Sequence, residues 1–135
     1  MVRQLLLQYQ GICWEVNMIS RHEITKEQAL YAIENEEFGS DVLDGENTVV
    51  IMTQNWCPQW INMKGWIYGL ETDKEIGIYE LVYNKTDFYR SFMEFKEKEF
   101  GNSLVPYLRF YKNGKLASET NYVNKERFHE MLNGL

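Results

Sequence analysis

The sequence predicts an α/β fold, in which strands and helices alternate along the chain. Thr48-Val49-Val50-Ile51-Met52-Thr53 has the length and branching of a strand buried on both faces. Just beyond it stand Cys57 and Pro58, with an apolar helical pattern behind them. Asn113-Gly114 then separates two strand-like segments, a strong signal for a two-residue hairpin turn. At 135 residues the chain buries roughly two thirds of the surface it would expose unfolded, and 44% hydrophobic with 15% aromatic residues supplies one core, so no second domain is needed.

Residues 3–19 are apolar and aromatic, broken at Gly11, and fit one strand, a bent strand or an arm packed on a neighbour. Thr25-Lys26-Glu27-Gln28 is a capping box, and Ala29, Leu30 and Ile33 recur behind it at helical spacing, which predicts a helix over 25–37. Residues 38–47 are acidic and turn-rich and lead into the strand over 48–53. Cys57 is the expected N-cap of the next helix and Pro58 its first residue, where a missing N–H costs nothing and φ is already set. That helix runs through Ile61, Met63, Trp66 and Ile67 toward Gly69, and a loosely alternating strand follows over 75–83. Thr86 is read as the next cap, with Phe88, Phe92 and Phe95 as a core-facing stripe and Gly101 as the stop. A strand over 104–111, the hairpin turn and a strand over 115–122 complete the sheet, with the hairpin strands antiparallel. Asn124 caps a last helix whose buried face is Phe128, Met131, Leu132 and Leu135.

Charge and cysteine usage narrow the function classes. A net charge of −6 and a pI near 5.0 disfavour non-specific contact with nucleic acid or an anionic membrane, because both repel an acidic surface. The Leu5-Leu6-Leu7 run meets Gln8 and Gln10 at once, too short to span a bilayer, and cytoplasmic residence is the expectation. Cys13 and Cys57 are the only cysteines, and neither His22 nor His129 stands at zinc-ligand spacing from them, so no metal or cofactor is expected. Cys13 reads as a small buried hydrophobe, with a resolving thiol or a bridge to Cys57 as the other reading. His129 reads as a solvated side chain on the last helix.

The chemistry concentrates at Trp56-Cys57-Pro58-Gln59-Trp60 and at Val105-Pro106. A thiol at a helix start faces unpaired N–H groups and the positive end of the macrodipole, and both favour a nucleophilic sulfur. This layout resembles the thioredoxin family, in which Trp-Cys-x-x-Cys opens a helix and a cis-proline faces it. Trp56 and Cys57 match, and from Pro106 the chain continues to Leu108, Tyr111 and Lys112-Asn113-Gly114 at the family's spacing. The resemblance spans about residues 24–135. It implies a three-layer fold with a central mixed β-sheet flanked by helices, preceded by an N-terminal extension or arm over 1–23. It also implies that Cys57 is the reactive sulfur and that Val105 offers its N–H and C=O to an extended substrate.

Three departures qualify that likeness. Trp60 holds the place of the second cysteine, which excludes a dithiol oxidoreductase at this site. Ile51 stands where the family commonly buries an aspartate, and Asn121 or Tyr122 stands where it often has a glycine lining the substrate surface. Trp60 either fills the interior or packs over the sulfur and Pro106, and the exposed role is the one favoured. The expected site therefore comprises Cys57 as the reactive group, with Trp56, Pro58, Trp60, Val105 and Pro106 as substrate contacts. Two functions follow: a monothiol redox protein forming mixed disulfides with a protein or small thiol, or a non-catalytic module that grips a partner protein through Trp56, Trp60 and Val105-Pro106. A glutaredoxin-like glutathione or iron-sulfur protein ranks last, because no Gly-Gly-x-Asp tail follows the proline. The N-terminal arm could also pair with a second copy of the chain, since an unpaired edge strand invites association.

Overall fold

The computed structural model describes the backbone of Leu5–Tyr9 and Ile12–Val16, and residues 18–135 in full. Strands β1 (Leu5–Tyr9) and β2 (Ile12–Val16) form a separate antiparallel pair. The Cys13 side chain, its expected burial, its pairing with Cys57 and the expected association through the arm all lie outside the described residues. The main sheet has five strands, β3 (Ile19–Glu23), β4 (Asn47–Thr53), β5 (Ile76–Val82), β6 (Tyr107–Lys112) and β7 (Lys115–Thr120), in the order β3-β5-β4-β6-β7. β3 and β4 run parallel to β5, while β4-β6 and β6-β7 are antiparallel, so the sheet is mixed.

Helices cover both faces, and the alternation of strand residues decides what each face meets. On central β4, Val50 and Met52 join a cluster with Ala29 and Ala32 of α1 (Lys26–Asn35), Val42 and Leu43 of α2 (Ser40–Leu43), and Phe92 and Phe95 of α4 (Tyr89–Lys98). Val49 and Ile51 point the other way, into a cluster with Trp60 and Met63 of α3 (Pro58–Lys64) and Phe128 and Leu132 of α5 (Lys125–Asn133). Every residue of β4 is buried, as its unbroken apolar run requires of a strand covered on both faces.

Local signals set the element ends. In α1 the Thr25 side chain accepts from the Gln28 N–H while the Gln28 side chain accepts from the Thr25 N–H, and Glu36, at φ 66°, ends the helix in the left-handed region. Asn124 caps α5 by accepting from the Arg127 N–H at 2.8 Å. Asn113 (φ 51°) and Gly114 (φ 80°) make the turn between β6 and β7, positive φ at both central positions being what a twisted two-residue hairpin demands.

The structure departs from the sequence reading at several boundaries. Residues 19–23, assigned to the extension, are the edge strand of the main sheet, paired in parallel with β5. Four polar side chains in that strand hide its role, because an edge strand needs apolar residues on one face only, and here Ile19 alone is buried. Thr86 does not cap α4; its hydroxyl donates to the Tyr83 carbonyl at 2.7 Å and closes a 3₁₀ turn over Tyr83–Lys85, leaving Phe88 at the helix start. The helix after Cys57 stops at Lys64, and Ile67–Gly69 form a separate 3₁₀ turn. Strand β6 begins at Tyr107, one residue past the proline.

One buried charge crosses the α1/α4 side of the sheet. Arg109, 7% exposed, donates to Tyr111 Oη at 2.7 Å, Tyr107 Oη at 2.8 Å and Glu37 Oε1 at 3.0 Å, and its guanidinium lies 3.8 Å from the Phe100 ring centroid. Burial works against the charged guanidinium, but Tyr111, Tyr107 and Glu37 outweigh it and leave its pKa above the ordinary value. Its donors are thus matched, as a charge in a core must be.

Candidate functional site

Strand β4 aims its C-terminal end at the turn 54–57, and that turn is anchored from several sides. Gln54, 9% exposed, donates to Tyr83 Oη at 3.2 Å and accepts from Trp56 Nε1 at 2.5 Å. The Asn55 N–H donates to Asn84 Oδ1 at 2.9 Å, and Asn84 Nδ2 returns a bond to Asn55 Oδ1 at 2.6 Å. Cys57 is the N-cap of α3, with extended φ and ψ of −70° and 112°, and Pro58 occupies the first turn. Its thiol makes no capping bond to the helix N–H groups.

The thiol turns instead toward the segment before β6. Cys57 carries a free thiol, and Sγ donates to the Val105 carbonyl at 3.7 Å. The Val105-Pro106 peptide bond is cis. The two halves of the expected site therefore meet, but in a closed arrangement: Cys57 is 3% exposed, Pro106 is buried and Val105 is half-buried.

Trp60 corrects the sequence reading. It is 1% exposed and lies in the core cluster with Ile51, Cys57 and Met63, so it fills the interior and has no surface to offer a partner. The reason is helical geometry: the third residue of α3 faces the sheet along with Met63, and the place of a small cysteine is taken by the largest side chain. Trp56 goes the other way, 59% exposed, and Pro58 is exposed beside it. Ile61 at 56% and Leu104 at 62% extend this apolar rim on α3 and next to Val105. Tyr122 is also exposed, and Asn121 is half-buried with its amide donating to the Pro106 carbonyl at 3.0 Å.

Sequence reasoning missed one residue near the site. Lys96, 1% exposed, binds the carbonyls of Asn102 and Leu104 at 2.8 and 2.7 Å from beneath. Its signal was a charged residue four positions after Phe92, on the same stripe as the helix's aromatic face. His129 is half-buried rather than solvated, its Nε2 lying 2.8 Å from the Glu71 carbonyl. That histidine lines a cleft with Leu70, Asp73 and Lys125 that shares no residue with the Cys57 site. Among the described residues, no group of His, Cys, Asp and Glu could hold a metal ion, and no helix is long and apolar enough to cross a membrane.

Comparison with solved structures decides the architecture. A mutant thioredoxin from Halobacterium salinarum superposes with a TM-score of 0.62 at 11% identity, covering 85% of this chain and 89% of its own. Thioredoxin O1 from Arabidopsis thaliana, in its oxidised state, gives 0.62 at 17% identity over 85% of this chain and 96% of its own. The chain has the thioredoxin fold. Thioredoxin O2 from the same plant agrees, with a TM-score of 0.60 at 20% identity over 86% and 94% of the two chains. No protein-family model matches the sequence, and no curated protein matches it. Within the thioredoxin fold, Cys57 thus stands at the mouth of a helix with Trp60 sealed beneath it and no second cysteine in α3.

Proposed function

We propose that this thioredoxin-fold protein exchanges disulfides through Cys57 as a single thiol, with a partner protein or small disulfide held along Val105-Pro106. The observation that carries the reading is the 3.7 Å contact between Cys57 Sγ and the carbonyl of Val105, the residue before Pro106. At rest the thiol itself occupies that acceptor. A thiol is a weak donor, and a backbone N–H from an extended partner is a stronger one for the same oxygen. Pairing of a partner strand with Val105 competes for that oxygen and weakens the thiol's hold on it, so recognition loosens the sulfur where the partner lies. The thiol then gives up its proton and its sulfur attacks one sulfur of the partner's disulfide. A Cys57–partner disulfide forms, the partner's own bond breaks, and the departing sulfur takes up a proton. With Trp60 in place of a second cysteine, an external thiol attacks the mixed disulfide and returns Cys57 to the thiol form.

The test uses a Cys13→Ser background and oxidised glutathione as the probe. A one-to-one adduct on native protein, reversed by dithiothreitol and lost in Cys57→Ser, is expected. Reaction only after denaturation would overturn the exchange reading.

A second reading has its own support. Cys57 is 3% exposed while Trp56, Ile61 and Leu104 stand open around it, which suits a module that holds a partner by shape and apolar contact without turnover. In that case Cys57→Ser leaves partner capture intact and Trp56→Ala abolishes it.

A further inference from the structure

Segment 101–106, between the end of α4 and β6, is held from two sides by groups that the exchange reaction does not use. From the core side, Lys96 Nζ donates to Asn102 O at 2.8 Å and Leu104 O at 2.7 Å, with Asn102 Oδ1 at 3.5 Å. From the other side, the Asn121 amide donates to Pro106 O and to Asn102 Oδ1, each at 3.0 Å, and Asn102 Nδ2 donates back to Asn121 Oδ1 at 3.0 Å. Asn102 Oδ1 also accepts the Leu104 N–H at 3.0 Å. These bonds fix the residues on both sides of Val105, whose own carbonyl meets Cys57 Sγ.

An ammonium in this position is costly. Taking one out of water carries a desolvation penalty, and an apolar side chain of similar length would fill the space beside the Tyr107 ring without it. What an apolar side chain cannot do is bind two carbonyls of an irregular segment that no strand partner satisfies. We propose that Lys96 is the positioning residue of the Val105-Pro106 edge: with Asn102 and Asn121 it clamps this segment so that the Val105 carbonyl rests on the Cys57 thiol and keeps the sulfur closed. The inference rests on the reading of that edge as the place where a partner and Cys57 meet.

The experiment measures alkylation of Cys57 by iodoacetamide in the Cys13→Ser background. Lys96→Met and Asn121→Ala are each compared with the parent in enough urea to give it the same residual global stability. The clamp predicts alkylation faster than the stability-matched parent by about tenfold or more, through local opening of the segment. Equal rates at matched stability would overturn it, because a merely structural lysine exposes the sulfur only through global unfolding. If Lys96→Met does not fold, Asn121→Ala and Asn102→Ala decide by the same criterion. Adduct formation with oxidised glutathione is scored separately, so a clamp that passes with no exchange activity overturns the functional reading alone.

Discussion

Ile51 and Glu80 sit side by side in register on β4 and β5. The thioredoxin-like pattern leads one to expect an acid at Ile51, and the chain instead buries a carboxylate one strand over, with Glu80 5% exposed. It serves no thiol: Arg21 Nε bonds Glu80 Oε2 at 2.7 Å, Arg21 Nη2 bonds Oε1 at 3.3 Å, and the Tyr68 hydroxyl donates to Oε2. Burial, then the bond to Glu80, pushes the Tyr68 hydroxyl well above its usual range, and the bond to Glu80 raises Arg21 against the effect of burial. The carboxylate ties edge strand β3 to β5 and to the turn at Tyr68.

Removing that tie is expected to cost stability rather than chemistry. Glu80→Ala removes the carboxylate that Tyr68 and Arg21 share and lowers unfolding free energy by about 2–3 kcal/mol, as for other hydrogen bonds to charged groups. Glu80→Gln keeps an acceptor and costs about half as much. Urea midpoints measure both, and the rate of Cys57 alkylation at matched stability should stay at the parent value.

Placing a second cysteine in α3 is expected to damage the protein. Trp60→Cys and Trp60→Ala both empty a fully buried site between β4 and α3, at a cost of about 3–5 kcal/mol. Chemical denaturation read by circular dichroism checks this. A loss below about 1 kcal/mol would mean that the interior collapses around the smaller side chain.

Stability should rise with pH in alkaline solution because of Lys96, then fall. Burial drives its ammonium down from 10.5 to about 8 against the opposing push of Glu97, and the ring of Tyr107 lies 5.4 Å away. Between those two values the unfolded chain holds more protons than the folded one, so unfolding free energy increases with pH across this window. Above pH 10 the sign reverses, because burial raises Tyr68, Tyr83, Tyr107 and Tyr111 above their ordinary value of 10.0 and the folded state then holds more protons. Urea midpoints from pH 7.5 to 10 should climb in the parent relative to Lys96→Met. Parallel profiles would contradict the assignment.

Trp56 should matter more for contact than for folding. Its ring is mostly exposed, so Trp56→Ala loses little packing, and losing the indole N–H bond to Gln54 is expected to cost about 0.5–1.5 kcal/mol. If its ring packs on a partner, the rate at which an apolar peptide carrying a mixed disulfide reacts with Cys57 falls by about tenfold or more. The rate with oxidised glutathione, which carries no apolar side chain to pack on that ring, should change less.

Features whose cause lies within a few residues were legible along the chain. The Thr25-Gln28 box, Pro58 in the first turn of α3, the Asn124 cap and the Asn113-Gly114 turn are local bargains between a side chain and its own backbone, and each is readable without knowing what lies opposite. The largely β-branched run of residues 48–53 announced a central strand because two covered faces demand it. Packing in three dimensions was needed to settle which way Trp60 points, that residues 19–23 pair with β5, that Glu80 is satisfied by Arg21 and Tyr68, and that Lys96 lies under the segment before Pro106. The first three depend on partners set by strand register and helix packing, and Lys96 depends on how the irregular segment six to eight residues on folds back over it. The stripe position of Lys96 shows along the chain that it faces inward, but which groups satisfy a buried charge is decided only when they are in place.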